Sequence, residues 1–301
     1  MANTRSIAEV IRAHETSGRY FMVDGIKTFA LSLGRGEPVL CMHGVPASSF
    51  VYRKVLKSLA KKGYKGVSID LPGFGLSDRP DDFDYSFSGF ADFIFKAATT
   101  LKLKKFHLVV HDIGGPIGFA MAARHRSKIL SLTILNTWID VVNFRKPTVM
   151  KPFEKRVLGE AELKLMNHLT WPVMFKNMGV LKSGLIPSEE VNAYVDLLKR
   201  KDEGKAFLKV MRNYDHSIAF RDLCYHAVQN TPYPVQAIWG GKDPGLPLET
   251  FGKEVKEIAG LQEIHSLPAR HFLQEEAWLS IADLIVEQAK SIHLQKLKKE
   301  V

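Results

Sequence analysis

The strongest constraint on the fold is a rhythm. From residue 38 onward, short apolar runs alternate with segments of helical period: PVLCMH, SFVYRKVLKSLAKKG, KGVSID, FSGFADFIFKAATTLKL, FHLVVH, PIGFAMAARH and ILSLTILNT follow one another. In the second of these, Phe50, Val55, Leu56 and Leu59 recur at helical spacing and Gly63 offers a stop. The short apolar runs read as buried strands. Such alternation predicts a mostly parallel sheet covered by helices on both faces. Ahead of it, GRYFMVDG and IKTFALSLG meet at Asp24-Gly25, a strong hairpin signal.

The rhythm stops at about Trp138. As far as Arg221 no clear strand is visible, and helical segments are separated by Pro147, Pro152, Trp171-Pro172 and SGLIPSEE. PSEEVNAYVDLLKRK opens with Ser188 as the expected N-cap and acids in the first turn. The block reads as an all-helical insertion. Alternation resumes with the strand YPVQAIWG, a helix from about Leu248, the strand LQEIHSLP and a last helix near 277–290. The expected organisation is a core of residues 1–137, a helical cap of 138–221 and the rest of the core in 222–301.

In open α/β sheets, ligands bind beyond the carboxyl ends of the strands. Residues following the strands are therefore the candidates. They are His43-Gly44-Val45-Pro46, then Asp70, then Asp112-Ile113-Gly114-Gly115, then Gly241-Lys242-Asp243-Pro244, and last Ala269-Arg270-His271-Phe272. Asp112, Asp243 and His271 follow the chain order nucleophile, acid, histidine of the α/β-hydrolase triad. Gly114 and Gly115 supply the small residues that a sharp strand-to-helix turn needs. Val110 stands in the preceding small position and departs from that pattern.

The segments HGVPASSFVYRKVL, DLPGFGLSDRP, VVHDIGGPIG and RHFLQEE resemble those of the haloalkane dehalogenases and of their relatives, the epoxide hydrolases. The likeness runs from about Tyr20 to Lys290 and is weakest in the helical insertion. It implies an α/β-hydrolase fold: a mostly parallel central sheet flanked by helices, with an all-helical cap inserted after the sixth strand. Asp112 would attack carbon and displace halide, giving an alkyl-enzyme ester. His271 would activate the water that hydrolyses it, oriented by Asp243. The backbone N–H groups of Val45 and Ile113 would hold the oxyanion. The family also allows the acid one strand earlier. That position carries Asn136, which cannot act as an anion, and Asp140 is the nearby carboxylate; Asp243 is the favoured acid. The partners implied are a small hydrophobic halogenated substrate, water and a halide product.

Some expected residues are missing. Dehalogenases hold the departing halide with side-chain donors next to the nucleophile and after His-Gly, or from the cap. This chain has Ile113 and Val45 at the first two positions, so Trp138 and Trp171 become the donor candidates. Epoxide hydrolases use cap tyrosines to protonate an alkoxide. Met211 stands where one is expected before Arg-Asn, leaving Tyr194 and Tyr214 as candidates. Ile113 also argues against a carboxylate substrate, since an arginine is expected beside the nucleophile in enzymes that take one. Ile113 and Val45 together predict an apolar pocket mouth. Two alternatives to a dehalogenase stay open: an epoxide hydrolase with the same triad, and a non-catalytic binding protein on this fold.

Bulk properties narrow the rest. A hydrophobic content of 46% supports a sizeable core. The net charge of +10 comes without a nucleic-acid motif or aromatic-basic interleaving, which favours a solvated basic surface over a polyanion site. No apolar stretch approaches a membrane span. Cys41 and Cys224 make no disulfide framework, and no secretory pattern is visible, so a cytoplasmic protein is expected. No metal-spaced cluster or phosphate loop appears, and no cofactor is implied.

Overall fold

The computed structural model describes residues 5–297. A capped helix, α1 (Ile7–Thr16), leads into the hairpin β1 (Gly18–Val23) and β2 (Ile26–Leu33). Their turn puts Asp24 and Gly25 at φ +47° and +79°, the positive values that a two-residue hairpin matching the strand twist requires. Alternation follows: β3 (Pro38–Met42), α2 (Arg53–Lys61), β4 (Lys65–Ile69), α3 (Phe87–Thr100), β5 (Phe106–His111), α4 (Gly114–Arg124) and β6 (Ile129–Leu135).

The helical block contains α5 (Leu158–Leu165), α6 (Trp171–Met174), α7 (Ser188–Lys199) and α8 (Lys205–Met211), with short tight turns between them. Next comes α9 (Ile218–Val228), which packs along α4. The expected division at residue 221 falls inside this helix. Then follow β7 (Val235–Gly240), α10 (Lys253–Ile258), β8 (His265–Leu267), α11 (Leu273–Glu276) and α12 (Trp278–Leu297).

The eight strands form one sheet in the order β1-β2-β4-β3-β5-β6-β7-β8. The pairs β1–β2 and β2–β4 are antiparallel and the others parallel. Every residue of β5 is buried, as a central strand covered on both faces must be. Two local expectations differ. Ser188 is the first helical residue of α7 rather than its cap; Pro187 holds the cap position and supplies no side-chain bond. The strand in LQEIHSLP is only three residues long, because its pairing with β7 covers only His265–Leu267.

Candidate active site

The site forms where β3, β5, β6 and β7 end. Asp112 follows β5 directly and sits at φ +53°, a left-handed conformation rare for a residue with a side chain. The turn is held from several sides. The Asp112 N–H donates to the Asn136 carbonyl (3.0 Å), and the Asp112 carbonyl accepts from Thr137 Oγ1 (2.6 Å) and from the Gly115 N–H (2.9 Å). Glycine is required on both sides. A Cβ on Gly115 would lie 1.9 Å from Thr137 Oγ1, and one on Gly44 would lie 2.2 Å from Asp112 Cβ.

The Val45 N–H donates to Asp112 Oδ1 (2.8 Å), and the Ile113 amide also stabilises the carboxylate. Burial nevertheless raises the Asp112 pKa, against the pull of His271 and these two amides. The Asp112 carboxylate thus sits at a helix N-terminus, held by amides that would equally hold an oxyanion on its carbon.

His271 Nδ1 lies 2.8 Å from Asp243 Oδ2, and its Nε2 faces Asp112 Oδ2 at 3.7 Å. Asp243 is buried and fully engaged: Oδ1 accepts the N–H groups of Gly245 and Leu246, and Oδ2 accepts Asn136 Nδ2 at 2.8 Å. Burial alone would raise the Asp243 pKa, but His271 and those donors bring it below the usual range. Burial disfavours a charged His271; the carboxylates of Asp243 and Asp112 outweigh it and raise the His271 pKa. Asp70, another strand-end carboxylate, serves the scaffold instead. It accepts from the backbone amides of Ser49 and Leu76, bracing two loops.

Asp112, Asp243 and His271 open onto a largely apolar cavity of about 710 Å³, part of it open to solvent. Val45, Trp138, Trp171 and Tyr214 line it as well. Trp138 is buried and stacked on Phe144 (3.7 Å between centroids), and its indole N–H has no partner among the described residues. Trp171 contributes a wall but not a donor, because its N–H is given to the Val191 carbonyl (2.9 Å). Tyr194 is not among the lining residues; its hydroxyl donates to Glu275 Oε1 (2.6 Å) within a buried ion-pair group. Ile113 is likewise absent from the cavity wall: its side chain is wholly buried, so only Val45 of the pair makes the mouth apolar.

Among the described residues the Tyr214 hydroxyl reaches only Met211 Sδ, at 3.5 Å, and burial raises its pKa well above the usual value. Lys146, unremarkable in the sequence, also lines the cavity. Its ammonium lies 3.7 Å from the Tyr214 ring centroid and 2.7 Å from Glu154 Oε1, and burial lowers its pKa. Two further residues position the triad in ways the sequence does not show. Asn136 bridges Asp243 to β7, and His111 holds the His271 carbonyl through Nε2–H at 2.9 Å. Among the described residues, no group of three or more His, Cys, Asp or Glu is placed to hold a metal. No described helix is long and apolar enough to cross a membrane.

A strained aspartate on a strand-to-helix turn lies with two amides on its carboxylate and a histidine–aspartate pair beside it, and residues 37–277 match the family described as the alpha/beta hydrolase fold. The chain is an α/β hydrolase. Over 266 residues it is 27% identical to haloalkane dehalogenase 2 of Mycobacterium bovis, covering 85% of this chain and 88% of that one. Over 123 residues it is 41% identical to a cis-3-alkyl-4-alkyloxetan-2-one decarboxylase of Shewanella oneidensis, covering 40% of this chain and 38% of the other. A solved epoxide hydrolase from Vigna radiata superposes with a TM-score of 0.72 at 21% identity, over 91% of this chain and 97% of that one. In sequence the chain is similar to haloalkane dehalogenases and in fold to the epoxide hydrolase, and it belongs to the hydrolase class of enzymes.

Proposed function

We propose that this α/β hydrolase opens hydrophobic halogenated substrates through an ester on Asp112. The observation that carries the reading is the position of His271, 2.8 Å from Asp243 on one side and facing Asp112 on the other. Asp112 Oδ2, the oxygen not held by Val45, attacks the halogen-bearing carbon in line; the carbon–halogen bond breaks and the halide leaves with its electron pair. A good leaving group needs no proton at this step. His271 then takes a proton from water, whose oxygen attacks the Asp112 carboxyl carbon. The amides of Val45 and Ile113 hold the resulting oxyanion. As the intermediate collapses, the His271 imidazolium gives its proton to the departing alkoxide oxygen, the alcohol leaves, and the new Asp112 carboxyl loses its proton to solvent, restoring the carboxylate. The unpartnered Trp138 N–H supplies a donor for the departing halide, which the Val45 and Ile113 side chains do not.

A second reading is ring opening of an epoxide by the same triad. It is favoured by Tyr214, whose hydroxyl has only a thioether to bond and can protonate an alkoxide in the same cavity. A four-membered lactone, the kind of ring named for the Shewanella relative, is a third electrophile to test.

Halide release measured over chloro-, bromo- and iodoalkanes of varied length, beside Asp112→Asn, tests the first reading. Release by the protein and none by the variant is expected. Equal release by both overturns it, and turnover of epoxides without any halide release selects the second.

A further inference from the structure

Among the described residues, the cap carries most of the exposed large apolar side chains. Val157, Leu158, Leu165, Leu169, Val173 and Leu185 all stand in solvent, Leu169 at 84% and Val157 at 78% exposure. Solvent-exposed side chains of this size in one region mark an interaction surface. Val157 is held out at a cost. Its φ of +68° is strained for a β-branched residue, and no burial offsets the strain.

The same stretch is cationic. Residues 145–185 hold eight Lys or Arg against three Glu. Glu154 and Glu160 are already paired, with Lys146 and Arg212. Lys155, Arg156, Lys164, Lys176 and Lys182 are exposed, and among the described residues they form no ion pairs. The surface therefore joins unburied apolar groups with uncompensated positive charge.

It also flanks the cavity of the site. Val149, Met174 and Met178 line the cavity, and α5 packs on the turn that carries Val149. Val149 is itself one of the exposed apolar residues, so an exposed apolar side chain borders the cavity beside the patch.

We propose that this cap face docks on an anionic lipid surface, with the apolar side chains in the headgroup–acyl boundary and the lysines on the lipid headgroups. Apolar groups ringed by cations are the signature of interfacial binding, where burial and attraction to anionic lipid act together. Docking would open the cavity toward the phase into which a hydrophobic substrate partitions. The proposal concerns binding and stands apart from which leaving group Asp112 displaces.

The test is co-sedimentation of the full chain with vesicles of phosphatidylcholine, with and without phosphatidylglycerol. The expected result is binding that requires phosphatidylglycerol and is weakened at least about tenfold by Leu169→Glu/Val173→Glu. Lys155→Glu/Lys164→Glu should weaken it comparably. Lys104→Glu/Lys105→Glu, at the opposite end of the sheet where β5 begins, should leave it unchanged. All of these positions are exposed, and thermal melts check that each variant is folded.

Absence of binding to phosphatidylglycerol vesicles at low salt overturns the proposal. So does binding that the Leu169/Val173 variant retains in full, or that depends equally on Lys104 and Lys105, since either means adsorption by net charge. A concentration-dependent dimer that Leu169→Glu/Val173→Glu dissolves would assign the face to a second copy and overturn it as well.

Discussion

Asn136 Nδ2 donates to Asp243 Oδ2 at 2.8 Å, the same oxygen that faces His271 Nδ1. The amide oxygen of Asn136 accepts the Gly240 N–H at 2.7 Å, so one side chain ties the ends of β6 and β7 together and fixes the acid between them. With its other oxygen held by two backbone amides, Asp243 can present only one direction to the imidazole.

Asp243→Asn therefore removes the charge while keeping the shape. Loss of the correct His271 tautomer and of its anionic partner should lower the turnover number by about 10³ to 10⁴. Steady-state kinetics, with a circular dichroism spectrum to show that the fold is kept, check this. A variant within tenfold of the parent would remove Asp243 from the account.

The raised pKa of His271 sets the sign of the pH response. As a base it must be neutral, so activity should rise through an apparent pKa above 6.5 and should not fall again near neutrality. In Asp243→Asn the limb should move to lower pH, because the group that favours the cation is gone. For stability the sign is opposite. A pKa higher in the folded than in the unfolded chain contributes stability that is fully present below 6.5 and is lost as pH rises through the folded value. Rate profiles and thermal melts over the same pH range report the two effects.

Trp138→Phe keeps the stack on Phe144 and removes an N–H that has no partner among the described residues. Stability should change by no more than about 1 kcal/mol, since no hydrogen bond is lost. Turnover of chloroalkanes should fall by about 10² and that of iodoalkanes by less, because the poorer leaving group depends more on the donor. An equal loss for both halides would show that the indole serves only as a wall.

Glu275 tests how the cap is tied to the core. It is buried on α11, just after His271, and pairs with Arg53 and with Lys54 (2.9 Å), while Tyr194 of the cap donates to it. Arg53 also pairs with Glu190 of α7. Removing one member of a buried ion group leaves uncompensated charge, so Glu275→Ala should destabilise the fold by about 3–5 kcal/mol in denaturant titrations. Burial would raise the Glu275 pKa, but Arg53, Lys54 and Tyr194 lower it. Its contribution is thus present above about 4.5 and is lost as pH falls through the folded value, and Glu275→Gln should flatten that acid limb.

The strand and helix alternation was legible because it rests on local period, and the Asp24-Gly25 hairpin because two adjacent residues specify it. Asp112, Asp243 and His271 were legible as candidates because each follows a strand, and parallel strands bring their carboxyl ends to one edge. What was not legible depends on packing between distant segments. In the sequence Asn136 is only an amide that cannot act as the anion; its role as a brace appears when β6 and β7 lie side by side. Lys146, beside Arg145, reads as ordinary surface charge until the cap folds it over Tyr214. Trp171 and Tyr194 carry donors that are already occupied, the first by the Val191 carbonyl within the cap and the second by Glu275 of the core, and the cap's short helices lack a period that would say which face is inward. Ile113 follows the nucleophile in sequence, yet the turn of the elbow sends its side chain into the core.

The central claim is the ester on Asp112. His271→Gln should still be alkylated but should not release the product. Intact-mass and peptide mass spectrometry after exposure to a panel of haloalkanes should find one alkyl group on Asp112, with one equivalent of halide released. An unmodified Asp112 across haloalkanes, epoxides and lactones, in a folded variant, would contradict the account.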